Sequence, residues 1–451
     1  MQSEVLIDAC EHLVDKGNVI TDTLRNFRDM KRSSVPNIEI LGAPIGDDNF
    51  CANFVTQKRE NACKLLTHLE EVGAVDPQVG LLLLRQCGSF SKLVHLARST
   101  PPSLVAEALK GYDDDVCQCF SECTTIDTTD KAWLQAQDLQ MIGTSIIQSS
   151  FIMPSFLHLT LSQPLTSQTQ CMGKKFCLPS LKTISSRNSA SMPDKARLHS
   201  ISSPHASAWL SVIPSPGSQS HLEPNEFQIA LKWWLGIGVS EGSTCVYCPN
   251  HSLDHLGHHS LTCKRGGDVV TRHKRLRDVL VEYCHLAHVG CQVEMGSGWG
   301  SEKSRTRPAD VLIPNWSLGK PVAFDLTVTS PLNAEIISEA SVTAGSAAYA
   351  AEQRKHVAND PKCNELGWVC IPLAVELYGC WGSEARQTLS RLGSRLACQL
   401  RCSKSQAIIR LYGNLSITLV RANARALLAR FAGCKDGPGD VFTFVYIIIA
   451  L

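Results

Sequence analysis

Apolar residues recur at helical spacing through most of the chain and at strand spacing only in a central stretch. Residues 61–72 and 76–98 read as helices, with Asp76-Pro77 as a start signal and Gly73 closing the helix before it. Phe227, Ala230, Leu231 and Trp234 share one helical face, and Leu276, Val279, Leu280, Tyr283 and Ala287 share another. Further on, Leu389, Leu392, Leu396 and Leu400 form a stripe, and Leu411, Leu415, Leu419, Ala422 and Ala426 a second. Between these lie runs of strand length, at 291–295, 310–313, 322–328 and 368–375, with a helix predicted at 344–359. Strands and helices interleaved in this way predict an α/β core with a helical N-terminal region.

Two stretches break the pattern. Residues 141–203 lose periodicity and are rich in Ser, Thr, Gln and Pro, the composition of a linker or disordered insert. Residues 433–451 form an irregular apolar tail whose longest apolar run, 441–451, is too short to span a bilayer, so no membrane partner is expected. The 451 residues therefore divide into a helical region (1–140), the linker (141–203), a helical connector (204–244), a Cys/His segment (245–263), an α/β core (264–380), a helical tail (381–432) and the apolar tail. Lys plus Arg number 43 against 42 Asp plus Glu, so affinity for a polyanion has to come from local patches. The 20 cysteines are scattered and no basic-then-apolar leader opens the chain, which predicts a reducing, intracellular setting and no secretion.

The central strands carry an acid pair. Asp310 follows Arg307-Pro308-Ala309, and Asp325 sits in Ala323-Phe324-Asp325-Leu326-Thr327-Val328. Residues 310–313 and 322–328 joined by a turn at 314–321 would fold the acids toward each other. Two carboxylates on adjacent strands suit a hard cation such as Mg²⁺, which can activate hydroxide against a phosphodiester. Asp at the end of a strand also caps a turn or pairs with Arg, and spacing alone favours that plainer role.

Neighbouring residues change the balance. Cys245, Cys248, His258 and Cys263 fall within nineteen residues with the spacing of a CCHC zinc site. His255 and His259 compete for the third position, and His258 is preferred because it gives a His-x4-Cys step. A basic run follows in Lys264, Arg265, Arg272, His273, Lys274, Arg275 and Arg277, and such a patch neutralises phosphates without reading sequence. Trp233-Trp234 could stack on bases, although helical spacing assigns them to a core.

These residues resemble the C-terminal region of non-LTR retrotransposon proteins, where a CCHC knuckle precedes a restriction-like endonuclease. The similarity spans roughly residues 204–430 and is strongest in 245–332, including Leu261-Thr262-Cys263-Lys264-Arg265-Gly266-Gly267-Asp268 and Ala323-Phe324-Asp325-Leu326-Thr327-Val328-Thr329-Ser330-Pro331-Leu332. It implies an α/β core of the PD-(D/E)xK restriction-endonuclease type, structural Zn²⁺ and catalytic Mg²⁺, and DNA as partner with an RNA template as a second one. A nuclear site of action also follows from the resemblance. Asp310 and Asp325 inherit the metal-binding role. Thr327 stands where the family pattern places its lysine, so the resemblance points to Lys355 on the next helix, with Arg354 the alternative. A third acid would be Glu294 or Glu282, with Glu294 preferred for its place in a predicted strand. Residues 38–47 are similar to the segment where a reverse transcriptase palm gives way to its thumb, which makes 1–140 a truncated thumb-like region. No Tyr/Phe-x-Asp-Asp motif precedes Leu41, and Asp113-Asp114-Asp115 reads as an acidic loop, so no polymerase activity is expected. Two alternatives stand beside the nuclease: a catalytically silent zinc-containing nucleic-acid-binding remnant, and the product of a decayed gene.

Overall fold

The computed structural model describes residues 37–88, 92–127, 133, 135–136, 190–240, 242, 244–293, 309–317 and 319–430. Glu294, the stretch 141–189 and the tail 433–451 lie outside the described residues.

A short hairpin of β1 (Ile38–Ile40) and β2 (Ala43–Ile45) opens the described chain, turning at Leu41-Gly42, both with positive φ. Helix α1 (Asp48–Val75) starts on Asp47, whose carboxylate accepts from the Phe50 N–H at 2.8 Å. Gly73 does not close this helix, contrary to the sequence expectation. It lies within α1 because a Cβ there would sit 2.6 Å from the Cys123 backbone, so the glycine permits a close helix crossing.

Asp76-Pro77 does start the next helix, α2 (Pro77–Leu83), with Asp76 Oδ1 accepting from Gln78 and Val79 N–H. The helix expected to run to residue 98 breaks instead into α2, a π-helical turn (Leu84–Gly88) and α3 (Val94–Ser99). Helix α4 (Pro102–Thr124) then packs along α1. The Asp113–Asp115 run lies in the middle of α4 rather than in a loop. Its Asp115 pairs with Arg59 at 2.8 Å, and the preceding Tyr112 is buried, donating to the Gly88 carbonyl at 2.6 Å.

Helix α5 (Met192–Ile201), begun by Ser191, falls inside the stretch assigned to the linker. It is held by Leu198 and Ile201, buried in the core, and by the buried guanidinium of Arg197, whose Nη1 donates to the Trp234 carbonyl at 2.7 Å. After a 3-10 turn (Ala208–Ser211), α6 (Pro224–Leu235) buries Trp233 and Trp234. Trp233 stacks on Tyr378 with centroids 4.0 Å apart, and Trp209 meets Phe227 and Trp234 edge-on, so these rings build a core and are closed to bases.

The remaining elements are β3 (Thr244–Cys245), β4 (Cys248–Ser252), α7 (His258–Thr262), α8 (Asp268–Leu286), β5 (Gln292–Val293), β6 (Val311–Ser317), β7 (Lys320–Thr329), α9 (Ile337–Ala340), α10 (Ser346–Glu365), β8 (Val369–Glu376), α11 (Ser383–Leu400) and α12 (Lys404–Leu428). Strands β5 to β8 form one four-stranded sheet in sequence order. The first three are antiparallel neighbours, and β7 and β8 are parallel, joined by a crossover through α10. The fold is thus mixed α/β. The β6–β7 turn is tighter than the expected 314–321, because pairing resumes at Ser317 with Lys320 around Gly319 (φ +74°). Pro314 lacks an N–H, and the register shifts between Ile313 and Ser317.

Alternation along β7 divides the two faces. Val322, Phe324 and Leu326 enter a core closed by α8, α11 and α12, where Leu276, Leu280, Leu389, Leu392, Leu396 and Leu411 are buried. On the other face, small Ala374 packs against Ala348 and Ala351 of α10, which lets that helix lie close to the sheet. Two buried carboxylates fix the helix starts. Glu376 accepts from the Ala348 N–H, and Glu352 from the N–H groups of Glu384 and Ala385. Gly382 is needed here because a Cβ would collide with the Glu352 carboxylate. Helix α12 reaches the N-terminal core too, through Ile417, Val420 and Leu427. Among the described residues no helix is long and apolar enough to cross a membrane.

Candidate functional site

The acids meet where β6 begins. The Asp310 N–H donates to the Phe324 carbonyl at 3.0 Å, extending the β6–β7 ladder by one residue and setting Asp310 opposite Asp325. Asp310 Oδ2 accepts from the Leu326 N–H at 2.8 Å and from His273 Nε2 at 3.0 Å. On the Asp325 side, Lys355 Nζ donates to Oδ1 at 2.8 Å and the Asn359 amide donates to Oδ2. Lys355 and Asn359 are one turn apart on α10, so a single helix face serves one carboxylate.

Electrostatics divide the pair. Burial raises the Asp325 pKa, and the nearby Asp310 charge adds to that rise against the opposing pull of Lys355. Burial also works to raise Asp310, but the hydrogen bond and charge of His273, with help from Leu326 and Lys355, hold it below its ordinary value. Two facing carboxylates and one balancing ammonium leave a site whose donors are hard oxygens, the chemistry that Mg²⁺ takes.

Of the residues expected from sequence, Asp310, Asp325 and Lys355 come together. Arg354 points to solvent on α10, and Glu282 is exposed on α8 about 13 Å along the helix axis from His273. Sequence reasoning gave His273 only as a member of the basic run and Asn359 only as the end of a predicted helix. The signal existed for both: His273 shares the i, i+3, i+7 face of buried Leu276 and Leu280, and Asn359 lies at i+4 from Lys355.

The basic run splits. Lys264, Arg265, Lys274 and Arg275 are exposed. Arg272 is only 3 % exposed, donating to Asn423 Oδ1 (3.1 Å) and the Leu261 carbonyl (2.9 Å), and burial lowers its pKa to about 10. Arg277 is 9 % exposed and pairs with Asp278. These two arginines fall on the inward face of α8 and are not a phosphate-binding surface, contrary to expectation.

A second cluster lies nearby. Sulfur or nitrogen atoms of Cys245, Cys248, His259 and Cys263 lie within 4.8 Å of one another, and Cys248 Sγ is 3.5 Å from Cys263 Sγ. The histidine that groups with the three thiols is His259, not the preferred His258. Positions 259 and 263 are i and i+4 on one face of α7 and its end, whereas His258 turns away and meets Ser330 Oγ at 2.9 Å. His255 lies against Gly238. Asp254 secures the α7 start by accepting from the His258 and His259 N–H groups at 2.8 and 2.7 Å. His259 Nε2 is buried without a hydrogen-bond partner, an orphan that a metal would satisfy. Three thiols and one imidazole in this arrangement can hold a metal such as zinc.

The chain matches no family model and no curated protein. The geometry of these two clusters therefore carries the functional reading.

Proposed function

We propose that the protein is a retrotransposon-derived, metal-dependent endonuclease that hydrolyses DNA phosphodiesters, built on a core of the PD-(D/E)xK type. The observation that carries the reading is the convergence of Asp310, Asp325 and Lys355 from two antiparallel strands and the following crossover helix. The resemblance of residues 245–332 to the knuckle and endonuclease region of non-LTR retrotransposon proteins points the same way.

Asp310 and Asp325 would hold Mg²⁺, whose role when bound is to supply a hydroxide nucleophile and to offset charge on the phosphate. Lys355 places a cation beside Asp325 and is available to offset charge that develops in the transition state. Asn359 orients the second Asp325 oxygen. Cys245, Cys248, His259 and Cys263 would hold zinc as a structural element, with exposed Lys264, Arg265, Lys274 and Arg275 available to phosphates.

One observation favours a second reading, a zinc-containing nucleic-acid-binding module without catalysis. Both Asp325 oxygens are already engaged, by Lys355 and Asn359, and Thr327 stands where the D-x-K lysine would be. The two readings separate on supercoiled plasmid incubated with the full chain in Mg²⁺, Mn²⁺ or EDTA. The nuclease nicks with either metal, and Asp310→Ala abolishes nicking while DNA binding measured by fluorescence anisotropy persists. Binding without nicking in both metals would leave the module.

A further inference from the structure

We infer that His273 is a positioning residue for the first metal-binding carboxylate, holding Asp310 in register with the strand that carries Asp325. The inference rests on the nuclease reading and deepens it.

Strand β6 begins at Val311, so Leu326 of β7 lies beyond the last ladder residue that β6 supplies. Its N–H and carbonyl need partners. The N–H finds Asp310 Oδ2 at 2.8 Å and the carbonyl finds His273 Nε2 at 3.1 Å. His273 Nε2 is also 3.0 Å from Asp310 Oδ2. A carbonyl and a carboxylate can only accept, so Nε2 carries the hydrogen and shares it between them. The result is a closed ring of three groups in which the helix side chain replaces the missing strand.

The placement is specific to the acid site. Leu326 adjoins Asp325 in sequence, so one imidazole ties α8 to both acid-bearing strands at once. Both bonds to Asp310 go to Oδ2, and Oδ1 is then the oxygen on which a hard cation would draw. A histidine that merely filled a core would not need two acceptors, and this ring is about one-third exposed, at 31 % of its side-chain surface. Fixing a ligand carboxylate through a second hydrogen bond is how outer residues tune a metal site.

The test compares reach. In His273→Gln the amide nitrogen lies as far along the side chain as Nε2, whereas in His273→Asn the same group is one bond shorter and falls short of Oδ2. Full-length wild type, His273→Gln and His273→Asn are titrated with Mn²⁺, reading free Mn²⁺ by electron paramagnetic resonance, alongside zinc content, melting temperature and the Mg²⁺ dependence of plasmid nicking. The expected result is Mn²⁺ affinity and half-saturating Mg²⁺ worsened about tenfold in the Asn variant and restored to within about twofold in the Gln variant. Maximal nicking rate and zinc content stay near wild type. Equal Mn²⁺ affinity in all three proteins overturns the inference, as does a Gln variant as weak as the Asn variant with an unchanged melting temperature. If wild type binds Mn²⁺ but never nicks DNA, the nuclease reading fails, and the Mn²⁺ titration still decides the role of His273.

Discussion

The two clusters are built in opposite ways. The Cys/His group is assembled from residues 245–263 alone, by a tight turn and one short helix, with soft donors suited to zinc. The acid group draws on α8, β6, β7 and α10 across residues 273–359, with hard donors suited to Mg²⁺. A metal would add order to a segment that the Asp254 cap, the His258–Ser330 bond and buried Leu261 already tie to the fold. A cluster spread over four packed elements is ordered by the fold and has freedom to serve chemistry. Under the proposed function the first would serve structure and the second catalysis.

The largest effect expected is on the local cluster. Structural zinc contributes on the order of 10 kcal/mol of apparent binding free energy, so losing a ligand strips the loop of its order. His259→Ala is expected to lose its zinc, read by atomic absorption, while His258→Ala keeps one zinc per chain. Equal zinc in both variants would break the assignment.

That pair of histidines also shows what the sequence conceals. The spacing of Cys245, Cys248 and Cys263 is visible without a structure, but neighbouring positions on a helix point about 100° apart, and only the start of α7 at His258 decides which ring faces the thiols. Asp310, Asp325 and Lys355 were legible because strand-turn-strand-helix order brings them together. His273 was read as one charge in a basic run, since nothing local says that β6 begins only at Val311 and leaves Leu326 needing a partner. Arg272 and Arg277 misled for a related reason: their partners, Asn423 among them, lie far away in the chain. The helical stripes of α11 and α12 were legible throughout because periodicity reports burial directly. Gly73 was misread as a stop because a glycine needed for a close crossing looks the same in sequence as one that ends a helix.

Next in size is the effect of α10 on the acids. Lys355→Ala removes the cation beside Asp325 and is expected to slow nicking about a hundredfold. Asn359→Ala removes a neutral donor, and its effect is expected to be about tenfold, the size of one hydrogen bond to a charged group. Nicking rates at saturating Mg²⁺ measure both. Reversal of that order would mean that orientation outweighs charge at Asp325.

A smaller effect tests whether the clusters communicate. His258 bonds Ser330, which follows directly on β7, and thus joins the Cys/His loop to the acid-bearing strand. Its replacement by Ala is expected to cost about 1 kcal/mol in urea unfolding, the net worth of one hydrogen bond. A loss several times larger would make the two regions a single structural unit.

The smallest effect is a pH dependence. His356 on α10 donates to Asp360 (3.0 Å) and to Glu384 of α11 (2.8 Å). Burial works to lower its pKa, but these two carboxylates outweigh burial and raise it above 6.5. Such a group contributes stability that is fully present below its unfolded value and is lost as pH rises through its folded value. Urea melts of wild type against His356→Gln are therefore expected to differ by roughly 0.5–1 kcal/mol at pH 6 and to converge as pH rises past the folded value. A constant difference would remove the ion pairs from the account of how α10 is held.

The division of labour between the clusters is tested most directly by Asp325→Asn, which keeps the shape and leaves the Cys/His loop untouched. Zinc content and Mg²⁺-dependent plasmid nicking are measured on the same preparation of full-length protein beside wild type. The account predicts one zinc per chain in both proteins, nicking by wild type that EDTA stops, and no nicking by the variant. Equal nicking by the variant, or a zinc-loaded wild type that binds DNA and never cuts it, would contradict it.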